Sequence, residues 1–131
     1  MQRRNGRTPE DDFKTMILVV LYAKKSSVPT WKVVEIVRTI LEANGMLRPL
    51  DFELLSSDQK RYYNTCCWAR KQLKDDGYLR RDSRHGQWEL SEKGRIYMES
   101  QIKTERVRKL LATWRDKNQA LRPRTDHGGS C

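Results

Sequence analysis

The sequence has no apolar run long enough to cross a membrane. A spanning helix needs roughly 20 consecutive apolar residues, and no run here approaches that length. The N-terminus, MQRRNGRTPEDD, carries charges but no apolar segment, so it does not predict a secretory signal. These two absences exclude a membrane-spanning protein and favour a soluble one, in the cytoplasm or in the nucleus of a eukaryotic source.

Residues that carry catalytic and metal chemistry are scarce. The three cysteines, at positions 66, 67 and 131, lack the paired spacing of a disulfide framework. His85 and His127 are too far from Cys66 and Cys67 in the sequence to show the spacing of metal ligands. The chain has neither a Gly-rich phosphate loop nor a carboxylate pair spaced for acid–base work. We therefore predict that it is not an enzyme and has no catalytic residue, metal site or cofactor.

Positive charge is in excess. The 131 residues carry a net charge of +10, of which residues 59–86 contribute +5, whereas residues 26–58 sum to −2. A basic excess concentrated in one segment predicts a polyanionic partner, with nucleic acid the leading candidate. The alternative is that the basic surface only keeps a small protein soluble.

Hydrophobic periodicity predicts two scaffold helices in the first third of the chain. The first spans residues 9–25, with Thr8 as N-cap and Pro9 in the first turn. After the break SSVP, the second begins at Thr30 and stops at Asn44-Gly45. Residues 46–57 form a connector in which Pro49 prevents a long helix, with one helical turn predicted at 52–55.

The rest of the chain predicts a third helix, a hairpin and a last helix. Ser57 caps the third helix, which Gly77 ends. Strands at 78–81 and 87–90 flank a five-residue loop, and Ser91 caps a helix running to about residue 120. The predicted fold is mainly α with a small antiparallel β-hairpin: a winged helix-turn-helix plus a long C-terminal helix.

This order divides the chain into four parts. We expect a basic N-terminal tail at 1–8, a winged-helix domain at 9–95, a C-terminal helix at 96–122 and a flexible tail at 123–131.

The third helix, at about 58–76, is predicted to be a recognition helix. Placed at 100° per residue, it has Tyr62, Cys66, Ala69 and Leu73 on one apolar stripe and a basic face opposite. We expect Arg61 and Asn64 to contact base edges, because Asn pairs with adenine and Arg with guanine. The phosphate contacts are assigned to Lys60, Lys71 and Lys74. Trp68 lies at the edge of this face, where it either contacts DNA or packs into the core.

The hairpin loop and its flanks, residues 80–88, are the predicted wing. Leu79, Trp88 and Leu90 alternate so that they pin the hairpin to the helices. This leaves a cationic tip and flanks free to reach the DNA backbone, formed by Arg80, Arg81, Arg84 and His85.

A heptad-like pattern marks the last helix as a predicted dimerisation element. Its apolar positions are Val107, Leu110, Leu111, Trp114 and Leu121. We expect a homodimer, because two winged helices match a palindromic site. The alternative is that the helix packs against its own domain.

The stretch from Asn64 to Gly94 resembles the N-terminal winged-helix domain of Mrr-type restriction systems. The resemblance rests on N-x-x-x-W-A-R-x-x-L-K-x-x-G-Y-L followed by R-x-G-x-W-x-L-S-E-K-G. In those systems the module accompanies a nuclease domain and is thought to bind DNA. Here we expect no cleavage, because the chain has no nuclease domain and its acidic block at 51–58 lacks the D…(D/E)-x-K arrangement.

Together these features predict double-stranded DNA binding, either by a transcriptional regulator or by a restriction- or defence-associated DNA reader. In a bacterium it would associate with the nucleoid, and it could act with a separate nuclease or effector protein. The alternative is a protein–protein interaction module that uses the acidic residues between 35 and 58 as its partner surface.

Overall fold

The structure, a computed structural model, describes residues 8–117. In chain order its elements are α1 Glu10–Lys24, β1 Val28–Pro29, α2 Thr30–Ala43, a 3₁₀ turn Pro49–Phe52, α3 Arg61–Asp75, β2 Gln87–Trp88, α4 Glu92–Gln101 and α5 Glu105–Lys117. The prediction of a mainly helical fold with a small antiparallel sheet is confirmed. None of the helices described combines the length and apolarity needed to cross a membrane.

Helix α1 is the centre of the core. Its predicted apolar positions are buried, and Leu18 and Val19 are buried beside them, so the helix is enclosed on most sides. It packs against α2, α3, α4 and α5. The helix ends where Lys25 adopts a left-handed backbone with φ 58°.

Thr8 does not cap α1, which was the role predicted for it. Pro9 holds the cap position, and no side chain bonds to the exposed amides there. The Thr8 hydroxyl instead lies 2.6 Å from both the Met46 carbonyl oxygen and Asp51 Oδ2, and the Thr8 amide donates to Asp51 Oδ1 at 3.0 Å. Thr8 therefore ties the start of α1 to the connector. Its partners lie about 40 residues away, beyond the reach of a local capping pattern.

The connector turns earlier than predicted. The 3₁₀ turn begins at Pro49, whose fixed φ favours the start of a turn. Ser57 does not cap α3, because Lys60 holds that position without a side-chain bond. The Arg61 amide instead donates to the Glu53 carbonyl oxygen at 2.9 Å, so the backbone itself closes this loop.

The sheet differs from the predicted hairpin. Strand β2 pairs antiparallel with β1, with Val28 opposite Trp88. The segments at 78–81 and 87–90 form no extended strand pair; the backbone joins them at the antiparallel bridge between Leu79 and Leu90, where the Arg80 amide donates to the Glu89 carbonyl oxygen. Strand β1 has two residues, too few to produce a visible alternation, so the sequence indicated only a break there.

The prediction of a single long C-terminal helix was also wrong. The chain breaks at residues 102–104 between α4 and α5, and the Thr104 hydroxyl accepts a hydrogen bond from the Val107 amide at 3.3 Å. Helix α5 then folds back onto α1 and α2. Its apolar face is buried inside the domain, as described below for the predicted dimer residues.

A close backbone crossing fixes α4 against the wing. The Ser91 hydroxyl accepts a bond from the Gly94 amide at 3.0 Å, so the predicted cap is confirmed, and it donates to the Gly77 carbonyl oxygen at 2.5 Å. A Cβ on Gly94 would lie 2.1 Å from the Tyr78 carbonyl oxygen. Only glycine fits at this crossing.

Candidate nucleic-acid interface

Helix α3 divides into a buried and an outer face, although Tyr62 of the predicted apolar stripe is only partly buried and its neighbour Tyr63 is buried. Cys66, Ala69 and Leu73 are buried in the core. Burial raises the pKa of the Cys66 thiol, which keeps it protonated and unreactive. We call the other side the α3 outer face, formed by the six predicted contact residues of this helix, Lys60, Arg61, Asn64, Trp68, Lys71 and Lys74.

Trp68 stands out on this face. Its residue is 54% exposed, whereas Trp88 in the wing is 1% exposed. The alternative that placed Trp68 in the core is therefore wrong. A large aromatic surface in water on a basic helix face is available to a ligand.

Carboxylates already engage two cations of the α3 outer face. Arg61 Nη2 lies 3.2 Å from Glu53 Oε1, and Lys71 Nζ lies 3.0 Å from Asp75 Oδ2. The hydrogen bond from Lys71 lowers the pKa of Asp75, and the charges of Arg81 and Lys74 lower it further. Asp75 therefore links the end of α3 electrostatically to the wing.

The base of the wing is pinned as predicted. Leu79 and Trp88 are buried, Leu90 packs against the same core, and the Arg70 guanidinium stacks 5.5 Å from the Trp88 ring centroid. The tip residues Arg84 and His85 are exposed. The wing therefore has an anchored base and a cationic tip in water.

Arg80 is the most constrained cation of the wing. Its Nε and Nη2 atoms each donate to an oxygen of Asp82 at 3.0 Å, and Nη1 lies 3.9 Å from Glu89 Oε2. These bonds lower the pKa of Asp82. The sequence placed Arg80 in the wing but contained no signal that Asp82 would hold it.

The predicted contact residues thus fall into two groups. Arg61, Lys71 and Arg80 each share a carboxylate. The other lysines and arginines of the predicted contact set form no side-chain hydrogen bond or ion pair with any residue of 8–117, namely Lys60, Lys74, Arg81 and Arg84.

The predicted dimerisation residues lie elsewhere. Val107 and Leu110 are buried, and Leu111 and Trp114 pack against the same core, so α1 and α2 cover this face. The alternative of packing against the same domain describes these four residues, and Leu121 lies outside the described residues. Because the domain itself covers the face from which dimerisation was predicted, the homodimer stays a prediction.

The acidic segment between 35 and 58 is partly buried and partly exposed. The side chains of Glu42 and Glu53 are 55% and 56% exposed and Asp58 is exposed, so the interaction-module alternative stays a prediction. Glu35 is 4% exposed and bridges to Arg38, and Asp51 is 0% exposed and bonds to Thr8. In the described part of the chain, no group of three His, Cys, Asp or Glu side chains is placed to hold a metal ion.

A polar cavity that sequence reasoning missed opens beside the α3 outer face. Its volume is about 230 Å³, and it is lined by Thr8, Glu10, Asn64, Thr65 and Trp68. Glu10 comes from the start of α1, so only the tertiary packing of α1 on α3 brings it here.

Among known protein families, the model of the Mrr N-terminal domain matches residues 13–100, about two thirds of the chain. The match runs from α1 to the end of α4 and includes α3 and the wing. No curated protein and no solved structure matches the chain.

Proposed function

Because this chain belongs to the Mrr N-terminal domain family, we propose that it binds double-stranded DNA through α3 and the wing. The observation that carries the proposal is the division of α3. Cys66, Ala69 and Leu73 are buried, whereas the opposite face is exposed at Lys60, Trp68 and Lys71 and partly exposed at its other positions. The wing tip is exposed as well. These features support a winged helix-turn-helix in which α3 is the recognition helix that enters the major groove.

Each group on this surface has a role set by its chemistry. Arg61 and Asn64, in the first turn of α3, reach base edges in the major groove. Phosphate contacts come from Lys60, Lys71 and Lys74 on the helix and from Arg80, Arg81, Arg84 and His85 on the wing. Trp68 contacts the DNA from the edge of the same face.

Binding exchanges ion pairs. Arg61, Lys71 and Arg80 must leave a carboxylate to meet DNA. Exposed ion pairs contribute only about 0–1 kcal/mol each, so phosphate oxygens replace these carboxylates at low cost. The cations without carboxylate partners make the first contacts.

Family membership associates the chain with restriction systems, and within that association we propose a DNA reader rather than a nuclease. Cleavage or signalling would come from a separate nuclease or effector protein. A transcriptional regulator would use the same surface. In either role the protein acts beside DNA, in the cytoplasm at the nucleoid or in a eukaryotic nucleus.

Two classes of substitution test the proposal. Arg61→Ala and Asn64→Ala are expected to relax sequence preference, each losing about 5- to 100-fold on the preferred duplex, because a bidentate base contact discriminates by about 1–3 kcal/mol. Arg84→Ala is expected to weaken binding to all duplexes alike, since phosphate contacts carry no sequence information. Duplexes selected from a random pool, titrated by fluorescence anisotropy, measure both effects.

The matched control is Arg108→Ala, which removes an exposed arginine from α5, away from the proposed surface. It should leave affinity nearly unchanged. Equal affinities for the wild type and the α3 and wing variants would refute the assignment. A folded wild-type protein that ignores DNA would instead favour an interaction module.

A further inference from the structure

The polar cavity beside α3 has unused hydrogen-bonding groups. The Thr8 hydroxyl is engaged by Met46 and Asp51, and the Thr65 hydroxyl donates to the Arg61 carbonyl oxygen at 3.0 Å. Between residues 8 and 117, no hydrogen bond or ion pair involves the side-chain amide of Asn64 or the side-chain carboxylate of Glu10. Two polar groups of complementary chemistry are therefore open to a ligand.

An aromatic surface borders the same space. Trp68 follows Asn64 by one helical turn, so their side chains are neighbours on α3. The indole lines the cavity although its residue is 54% exposed. A planar ligand that enters from the solvent side therefore meets the indole at the rim of the cavity.

The size of the cavity limits what enters it. About 230 Å³ lies below the roughly 300–1,000 Å³ of pockets for drug-sized ligands. A single planar ring system fits a cavity of this size. A carboxylate acceptor, an amide and an indole are also the groups that read an extruded base, through hydrogen bonds to its Watson–Crick edge and stacking.

We propose that this cavity receives one unstacked nucleobase of the bound DNA, with cytosine or adenine preferred over thymine. The inference rests on the proposed function and deepens it: the base that Asn64 reads is the unstacked one, and Arg61 keeps the contact in the major groove. Glu10 accepts a hydrogen bond from the exocyclic amino group, as acidic side chains do from cytosine N4, while the Asn64 amide donates to the adjacent ring nitrogen. Thymine has the carbonyl oxygen O4 in place of the amino group, and this oxygen repels the carboxylate.

Duplexes with one extra nucleotide test the proposal with the full-length protein. Four versions of one sequence are compared by competition: fully paired, with an unpaired cytosine, with an unpaired thymine and with an unpaired abasic residue. We expect the cytosine duplex to bind about tenfold more tightly than the abasic one, because stacking of a base on an aromatic side chain supplies this order of affinity. Cytosine should exceed thymine by about threefold to tenfold.

Substitutions locate the effect. Trp68→Ala should remove most of the gain of cytosine over abasic DNA, and Glu10→Ala or Asn64→Ala should bring cytosine and thymine to equal affinity. Asp11→Ala is the matched control for Glu10, because it removes the same charge from the same helical turn while its side chain is 88% exposed and outside the cavity. It should keep the cytosine preference.

The outcomes separate the two proposals. Equal binding of the abasic and cytosine duplexes, or a preference that survives Glu10→Ala and Asn64→Ala, overturns the base pocket while DNA binding stands. Equal affinity for cytosine and thymine in the wild type overturns the assignment to amino-bearing bases. Absence of binding to every duplex overturns the proposed function itself.

Discussion

At the scale of single residues, Asp82 controls how freely Arg80 can meet a phosphate. The two side chains share two hydrogen bonds, which raise the pKa of Arg80 and lower that of Asp82. A carboxyl whose pKa is lowered by folding contributes stability above its unfolded pKa and loses it as the pH falls through the folded pKa. Both groups are exposed, so this contribution to stability is small.

Asp82→Asn should therefore strengthen DNA binding by about threefold, because Arg80 then leaves only the more distant Glu89, at 3.9 Å, rather than two carboxylates. Anisotropy titration at constant salt measures the change. Asp76→Asn is the control, since it removes an exposed acidic group near the wing that holds no arginine. Equal gains in the two variants would show that only net charge matters and that Arg80 is not released.

At the scale of elements, α5 is part of the domain rather than an appendage. Arg106 Nη2 bonds to Asp12 Oδ1 at 2.9 Å, Asn44 Nδ2 to Thr113 Oγ1 at 3.3 Å, and Leu110 is 4% exposed. Polar contacts thus fasten both ends of α5 to α1 and α2 while its apolar face completes the core.

Leu110→Ala is expected to lower the free energy of unfolding by about 2–4 kcal/mol, because a large buried side chain is removed from a packed core. Arg108→Ala, on the exposed side of the same helix, should change it by less than about 0.5 kcal/mol. Urea denaturation measures both. If Leu110→Ala left stability intact but lowered the sedimenting mass, α5 would pair two copies rather than close one.

The elements that sequence predicted well are those with local signals. Helices α1, α2 and α3 follow from apolar periodicity and from their breakers, and the pinned wing from alternation. The missed features depend on distant partners. Strand β1 exists because Trp88 pairs with Val28, and the break at 102–104 contains no glycine or proline. Local propensity therefore does not predict that break. It lies where α5 turns back to pack on α1 and α2.

The same division applies to the candidate site. Helical spacing alone placed the cations of α3 on one face. The carboxylates of Glu53 and Asp82, and the approach of Glu10 to Asn64, come from the tertiary arrangement and left no mark in the pattern.

At the scale of the whole molecule, net charge overstates the electrostatic contribution to DNA binding. The chain carries +10, yet several cations near the proposed surface are paired with carboxylates. Exchange of one anion for another gains less than neutralisation of a bare cation. The unpaired cations of the interface should set the salt response.

The logarithm of the DNA-binding constant should fall with the logarithm of salt concentration with a slope of about −3 to −4, as expected for roughly four phosphates neutralised on B-DNA. Arg84→Ala should reduce the magnitude of that slope by about one. Arg108→Ala serves as the control and should leave it unchanged. If Arg84→Ala left the slope unchanged, the wing tip would not contact DNA.

The crossing of α4 over the wing, where the Gly94 position touches the Tyr78 carbonyl oxygen, has a consequence for engineering. Backbone atoms and the Ser91 hydroxyl hold the entry and exit of the wing, and no side chain between 82 and 86 takes part in that junction. The Gly86 carbonyl oxygen accepts hydrogen bonds from the Thr30 amide at 2.9 Å and from the Thr30 hydroxyl at 3.2 Å, so Gly86 belongs to the scaffold. Residues 82–85 are thus an exchangeable cassette. New tips can be grafted onto this base to retarget the protein while its scaffold stays as it is.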